Sequence, residues 1–185
     1  MTRFRKENRR SSLDSGALRD LALAYVGRFA TSRARLARYL ERKVTERGWG
    51  DEKGPDIAGL VSHFVELGYV DDGAYARMKG ASMERRGLGA RRIGAALRAD
   101  GIGETERLDS EAQARRGAWA AAEIFARRKR IGPYAREAAD RPLRDRQLAA
   151  FLRAGHSMDM ARRWVDAAPG EAPEDELSER DGEGR

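Results

Sequence analysis

From Leu18 onward the apolar residues of this chain recur at helical intervals, and nowhere do they alternate with polar ones for more than a few positions. Leu18, Leu21, Ala22, Tyr25 and Phe29 follow an i, i+3, i+4, i+7 course. Leu36, Tyr39, Leu40 and Val44 repeat it, then Ile57, Leu60, Val61, Phe64 and Leu67, and finally Ala161, Trp164, Val165 and Ala168. Such spacing gathers each set on one helix face, whereas a half-buried strand needs period two. An all-α fold is expected. Leu, Ile, Val and Phe together supply only 31 of 185 residues and Ala another 31, so small helical units with thin interiors are expected in place of one large core.

Breakers and caps divide the helices. Thr31-Ser32, Pro55-Asp56, Asp71-Asp72, Gly87-Leu88-Gly89 and Ser157 each stand where a periodic segment begins. They supply a side-chain acceptor for orphan backbone N–H groups or the freedom a turn needs. One segment also recurs. Arg35-Leu36-Ala37-Arg38-Tyr39-Leu40-Glu41 aligns with Arg92-Ile93-Gly94-Ala95-Ala96-Leu97-Arg98 at an offset of 57, and that with Gln147-Leu148-Ala149-Ala150-Phe151-Leu152-Arg153 at an offset of 55. Near-equal offsets, with a helical segment before and after each copy, predict an elongated array of three tandem three-helix, helix-turn-helix-like repeats over 13–68, 69–112 and 113–168. The polar, basic stretch 1–12 and the Pro/Gly/acid-rich stretch 169–185 read as disordered termini.

Several classes of protein are excluded as expectations. No apolar run approaches the ~18 residues of a membrane-spanning helix, and no apolar stretch follows the basic start as in a secretory signal, so a cytoplasmic, membrane-free protein is expected. With no Cys and only His63 and His156, no metal site and no cofactor are expected. His63 lies among Val61, Phe64 and Val65 as a packed or rim residue, His156 follows Gly155 in a turn, and no carboxylate pair stands out for acid–base work. No enzyme is expected.

The charge is lopsided. Residues 171–185 hold seven acids against Arg180 and Arg185, a net of −5, which leaves +12 on residues 1–170; of the 37 basic residues, 32 are Arg. Arg presents a rigid fork of donors suited to phosphate or carboxylate, so a polyanionic or acidic partner is expected.

Two stretches then make the chain similar to the RecX regulatory family, bacterial modulators of the RecA recombinase. Leu67-Gly68-Tyr69-Val70-Asp71-Asp72-Gly73-Ala74-Tyr75-Ala76 resembles the family's LGY-aliphatic-DD segment followed by an aromatic and Ala. Gly87-Leu88-Gly89-Ala90-Arg91-Arg92-Ile93, running on to Leu97 and Gly101-Ile102, resembles its second segment. The resemblance spans about 15–168 and is clearest over 60–102. The departures are Ala34-Arg35 where the family often has an acid, Asp100 where it has a base, and His156 where it tends to have Phe. The first two would alter partner contacts, and the third would loosen the packing of the third unit.

Most of the motif has a structural reading. Asp71 and Asp72 sit at a helix start, where they cap N–H groups and suit the positive dipole end. Tyr69 and Tyr75 read as core or staple residues. Gly87 and Gly89 read as a turn and a helix start, since GLGARR lacks the Walker pattern. Gly101 reads as a left-handed helix C-terminal residue. The arginines of the repeats carry the binding expectation. At 100° per residue, Arg91 and Arg98 lie opposite Ile93 and Leu97, and Arg146 and Arg153 lie opposite Leu148 and Leu152, with Arg38 near the same side in the first copy. Arg85, Arg86 and Arg92, and the run Arg127, Arg128, Lys129 and Arg130, extend this basic outer face.

The resemblance implies a monomer that binds in the groove of the RecA filament on single-stranded DNA, inhibits strand exchange, ATP hydrolysis and coprotease activity, and promotes disassembly. The basic face would add weak contact with single- or double-stranded DNA. The residues alone leave open a helix-turn-helix DNA-binding transcriptional regulator and a helical adaptor for another acidic protein.

Overall fold

The computed structural model describes residues 12–174. Of the termini expected to be disordered, 1–11 and 175–185 lie outside the described residues, whereas 169–174 are described and Gly170 N–H donates to the Pro133 carbonyl at 2.9 Å. Among the described residues the fold is all-helical, with nine α-helices and one 3-10 turn; no strand forms beyond an isolated bridge between Leu13 and Trp49. Two compact units divide between Tyr75 and Ala76.

In the first unit, α1 (Ser15–Val26), α2 (Arg33–Arg47) and α3 (Ile57–Glu66) begin on the side chains of Asp14, Ser32 and Asp56, which accept from Ala17, Arg35 and Gly59 N–H respectively. Leu18, Ala22, Leu36, Leu40, Val61, Phe64 and Val70 form its interior, as the periodicity requires. Leu13 joins them fully buried, its backbone tied to Gly48 and Gly50 at 2.9 and 2.8 Å. Ser15 bonds Asp51 through both N–H and Oγ, at 2.8 and 2.6 Å, which closes the α2–α3 connection over the start of α1 and holds the Asp51 carboxyl below its ordinary pKa.

The second unit takes up the remainder of α4 (Asp72–Glu84) with α5 (Ala90–Ala99), α6 (Glu104–Arg116), α7 (Ala118–Lys129), a 3-10 turn (Gly132–Tyr134), α8 (Arg141–Ala154) and α9 (Met158–Val165). α6 continues past residue 112 to Arg116. Its buried residues are only Ser110 and Ala114, with Leu108 left in solvent. Small side chains let α6 lie close on α4 and α5, where Gly80, Ile93 and Leu97 are buried.

The C-terminal part of this unit sets aromatic rings among the expected alanines, with Ala122, Ala126, Ala154 and Ala161 buried beside them. Phe125 and Phe151 meet edge-on at 4.8 Å, Trp119 and Trp164 lie tilted with centres 5.1 Å apart, and Tyr134 stacks near-parallel to Trp164. In α8 it is Phe151 that is fully buried, while Leu148 and Leu152 are half-buried. The expectation that His156 loosens this region is corrected: it is 3% exposed and lies 5.7 and 5.3 Å from the Phe125 and Phe151 rings. Burial pushes its pKa below the ordinary histidine value. Its Nε2–H donates to the Gly87 carbonyl at 3.0 Å and the ring packs on the two phenylalanines, while Nδ1 is buried without a hydrogen-bond partner.

Candidate functional site

The motif residues divide into those that build the scaffold and those that cover it. Asp71 accepts from Ala74 N–H at 2.9 Å and so caps its own helix, α4. Asp72 reaches instead to the start of α2, where it accepts from Arg33 N–H at 2.9 Å. One Asp therefore starts α4 and the next ties α4 to α2, which accounts for both acids in structural terms. Tyr75 and Ala76 are buried, with the Arg35 guanidinium 6.0 Å from the Tyr75 ring centre. Tyr69 is not a core residue: it is 54% exposed and leans on Phe64, and Leu67 beside it is equally exposed because α3 has already ended. Gly68 follows in the left-handed region.

Gly87 and Gly89 form the turn into α5, and Ile93, Leu97 and Ile102 bury its inner face. Gly101 adopts φ 75°, the left-handed helix ending read from the sequence. Asp100 is corrected from a partner-facing residue to an internal one. It is buried and pairs with Lys79 of α4. An acid at this position is thus matched by a base inside the unit.

All six arginines singled out from the repeats (Arg38, Arg91, Arg92, Arg98, Arg146 and Arg153) are exposed. The charge around them differs by unit. Residues 12–75 carry nine basic and ten acidic side chains, a net of −1. Residues 76–174 carry 21 and 14, a net of +7. Five of the six therefore sit on the positive unit, while Arg38 sits on the near-neutral one. Within the second unit the backbone joins α5 to the α8–α9 turn, with Gly89 N–H donating to Ala154 O at 2.9 Å. Arg91 and Arg92 thus begin α5 directly against Gly155, which Arg153 precedes by two residues.

A carboxylate the sequence reading missed lies within this face. Glu111 of α6 is 3.7 Å from Arg98, 3.4 Å from Arg107 and 3.8 Å from Arg115. Its head rests on Gly94 of α5, where a Cβ would meet it at 2.0 Å. Two of the three pairs are i, i+4 on α6 and were legible in the sequence. The third, to Arg98, needs the α5–α6 packing. One acid thus restrains three guanidinium groups without neutralising them. The whole face suits a partner that brings several negative charges at once.

Among the described residues no group of three or more metal-ligating side chains converges, and no helix is long and apolar enough to cross a membrane. His63 is exposed on α3.

The chain is 35% identical over 166 residues to the regulatory protein RecX of Myxococcus xanthus (strain DK1622), an alignment covering 82% of this chain and 86% of that protein. It belongs to the RecX family. Solved RecX structures share the fold. RecX from Lactobacillus salivarius superposes with a TM-score of 0.59 at 18% identity, covering 79% of this chain and 90% of its own. A second crystal structure of regulatory protein RecX gives 0.65, also at 18% identity, over 82% of this chain and 73% of its own. No family model matches the chain. Membership in the RecX family agrees with the reading of the Leu67–Ala76 and Gly87–Ile102 segments, and with a regulatory rather than catalytic protein.

Proposed function

We propose that this chain is a monomeric, cytoplasmic, non-enzymatic regulator that binds the RecA filament on single-stranded DNA and lowers its recombinase, ATPase and coprotease activities. The observation that carries the reading is the extended identity with a regulatory protein RecX. The positive second unit, with Arg91, Arg92, Arg98, Arg146 and Arg153 exposed, supplies the chemistry for gripping acidic protein patches and DNA phosphates together. Helices α1–α3, α4–α6 and α7–α9 would act as three tandem units laid along successive protomers. A binder of this kind shifts the filament only through its differential affinity for the less active state.

A helix-turn-helix transcriptional regulator is less well supported. Such a module inserts the first turn of its recognition helix into the major groove. Here the first turn of α5 is packed on Gly155, and that of α2 begins at buried Ser32 with Asp72 bonded to Arg33.

The test is the ATPase rate of cognate RecA on single-stranded DNA as this protein is titrated in. The rate is expected to fall and strand exchange with it. An unchanged rate at several-fold excess of this protein retires the reading.

A further inference from the structure

The most concentrated positive charge lies on an edge of the second unit that the repeat stripe does not include. α7 ends in Arg127, Arg128, Lys129 and Arg130, all exposed. Arg128 donates to the Arg86 carbonyl at 2.8 Å, which brings Arg85 and Arg86 of the α4–α5 turn beside the run. Six cations from two separate turns therefore share one patch. Among the described residues, Glu123 is the carboxylate that pairs with this run, through Arg127 at 2.8 Å.

The backbone adds an independent observation. Arg130 is the sole non-glycine with positive φ among the described residues, at 54°. α8 ends at the same left-handed conformation with Gly155. An arginine held where glycine is the unstrained choice suggests that its charge is needed there.

The patch also lies where the acidic stretch of the chain departs. Arg127 Nη2 is 3.3 Å from the Tyr134 hydroxyl, and next to Tyr134 the Pro133 carbonyl accepts the Gly170 N–H at 2.9 Å. The seven acids of residues 171–185 follow directly from that anchor. Asp175 to Glu183 lie five to 13 residues beyond Gly170, a reach of up to about 45 Å for extended chain, so the five carboxylates beyond residue 174 have chain enough to reach the patch.

We propose that the Arg85–Arg86 and Arg127–Arg130 patch is a docking surface for an acidic peptide, and that its occupant is this chain's own residues 175–185. The segment thereby competes with any external polyanion for the patch. This goes beyond the RecA reading and does not depend on it.

The test uses the full chain and a fluorescein-labelled oligodeoxythymidine strand at low salt. Changing the five acids beyond residue 174 to their amides (Asp175→Asn, Glu176→Gln and so on) is expected to tighten binding about three- to tenfold, the competition exerted by a tethered segment at roughly millimolar effective concentration. Adding Arg86→Gln, Lys129→Gln and Arg130→Gly is expected to erase most of that gain. Because glycine suits the φ of position 130, this background is expected to fold. A spin label on Ser178→Cys, in a chain with no other Cys, reads the contact directly. Broadening of the Arg128–Arg130 amides at low salt that vanishes near 0.5 M salt supports the docking. Equal affinity of parent and amide variant, a gain that survives in the Arg/Lys-depleted background, or no broadening at low salt each overturns it, as does failure of either protein to bind the strand.

Discussion

Gly89 and Gly155 meet backbone to backbone: a Cβ on Gly89 would lie 2.5 Å from the Gly155 carbonyl oxygen, and one on Gly155 would lie 2.4 Å from the Arg92 amide nitrogen. Neither neighbour is a flexible side chain, so the clash cannot be relieved by a rotamer change. Gly89→Ala is expected to destabilise the protein by about 1–3 kcal/mol. The measurement is urea unfolding, with the midpoint lowered and the slope unchanged. An unaltered midpoint would show that the α5 start does not rest on this turn.

His156 makes stability depend on pH. Its folded pKa lies below the unfolded value of 6.5 because burial disfavours the charged ring. Between the two values the unfolded chain binds more protons than the folded one, so stability is full above pH 6.5 and falls as pH drops toward the folded pKa. The slope for one such group is at most about 1.4 kcal/mol per pH unit. His156→Phe keeps the aromatic contacts and is expected to flatten the profile below pH 6.5. A profile that stays as steep in the variant would assign the effect to other groups.

Asp100 and Lys79 form a pair in which the carboxylate is buried and the ammonium about three-quarters covered. Asp100→Ala leaves that ammonium with less compensation and is expected to cost about 1–3 kcal/mol. Asp100→Lys should cost more, and Lys79→Glu added to it should recover part of the loss. A double variant no better than Asp100→Lys would show that the pairing does not matter.

Glu111 restrains Arg98, Arg107 and Arg115. Glu111→Gln is expected to strengthen binding to single-stranded DNA and to steepen its logarithmic salt dependence by about 0.7 for each arginine that gains a phosphate. Binding isotherms at four or five salt concentrations measure both. Identical slopes for parent and variant would remove this part of α6 from the binding face.

Much of the scaffold is legible in the sequence because its causes are local. Ser32, Asp56, Asp71, Gly89 and Ser157 start helices where short-range capping chemistry requires them, and Leu18, Leu36, Leu40, Ile93 and Leu97 point inward by helical period alone. α6 is the contrary case. It buries Ser110 and Ala114 and exposes Leu108, so its packing face is chosen by closeness of approach to its neighbours and not by hydrophobicity. The binding face divides the same way. That Arg91, Arg98, Arg146 and Arg153 look outward follows from their spacing.

By itself, then, the sequence determined an all-helical RecX-type chain, the helix starts, the inward-facing residues and the excess of outward arginine, because each depends on residues within a turn or two. The tertiary structure decided that Asp72 bonds the start of α2, that Asp100 answers Lys79, that His156 is an interior ring, and that Glu111 also meets Arg98. Those contacts join residues as far as 69 positions apart. Whether a charged or polar group is a surface feature or an internal partner depends on what the fold brings against it, and spacing along one helix carries no record of that.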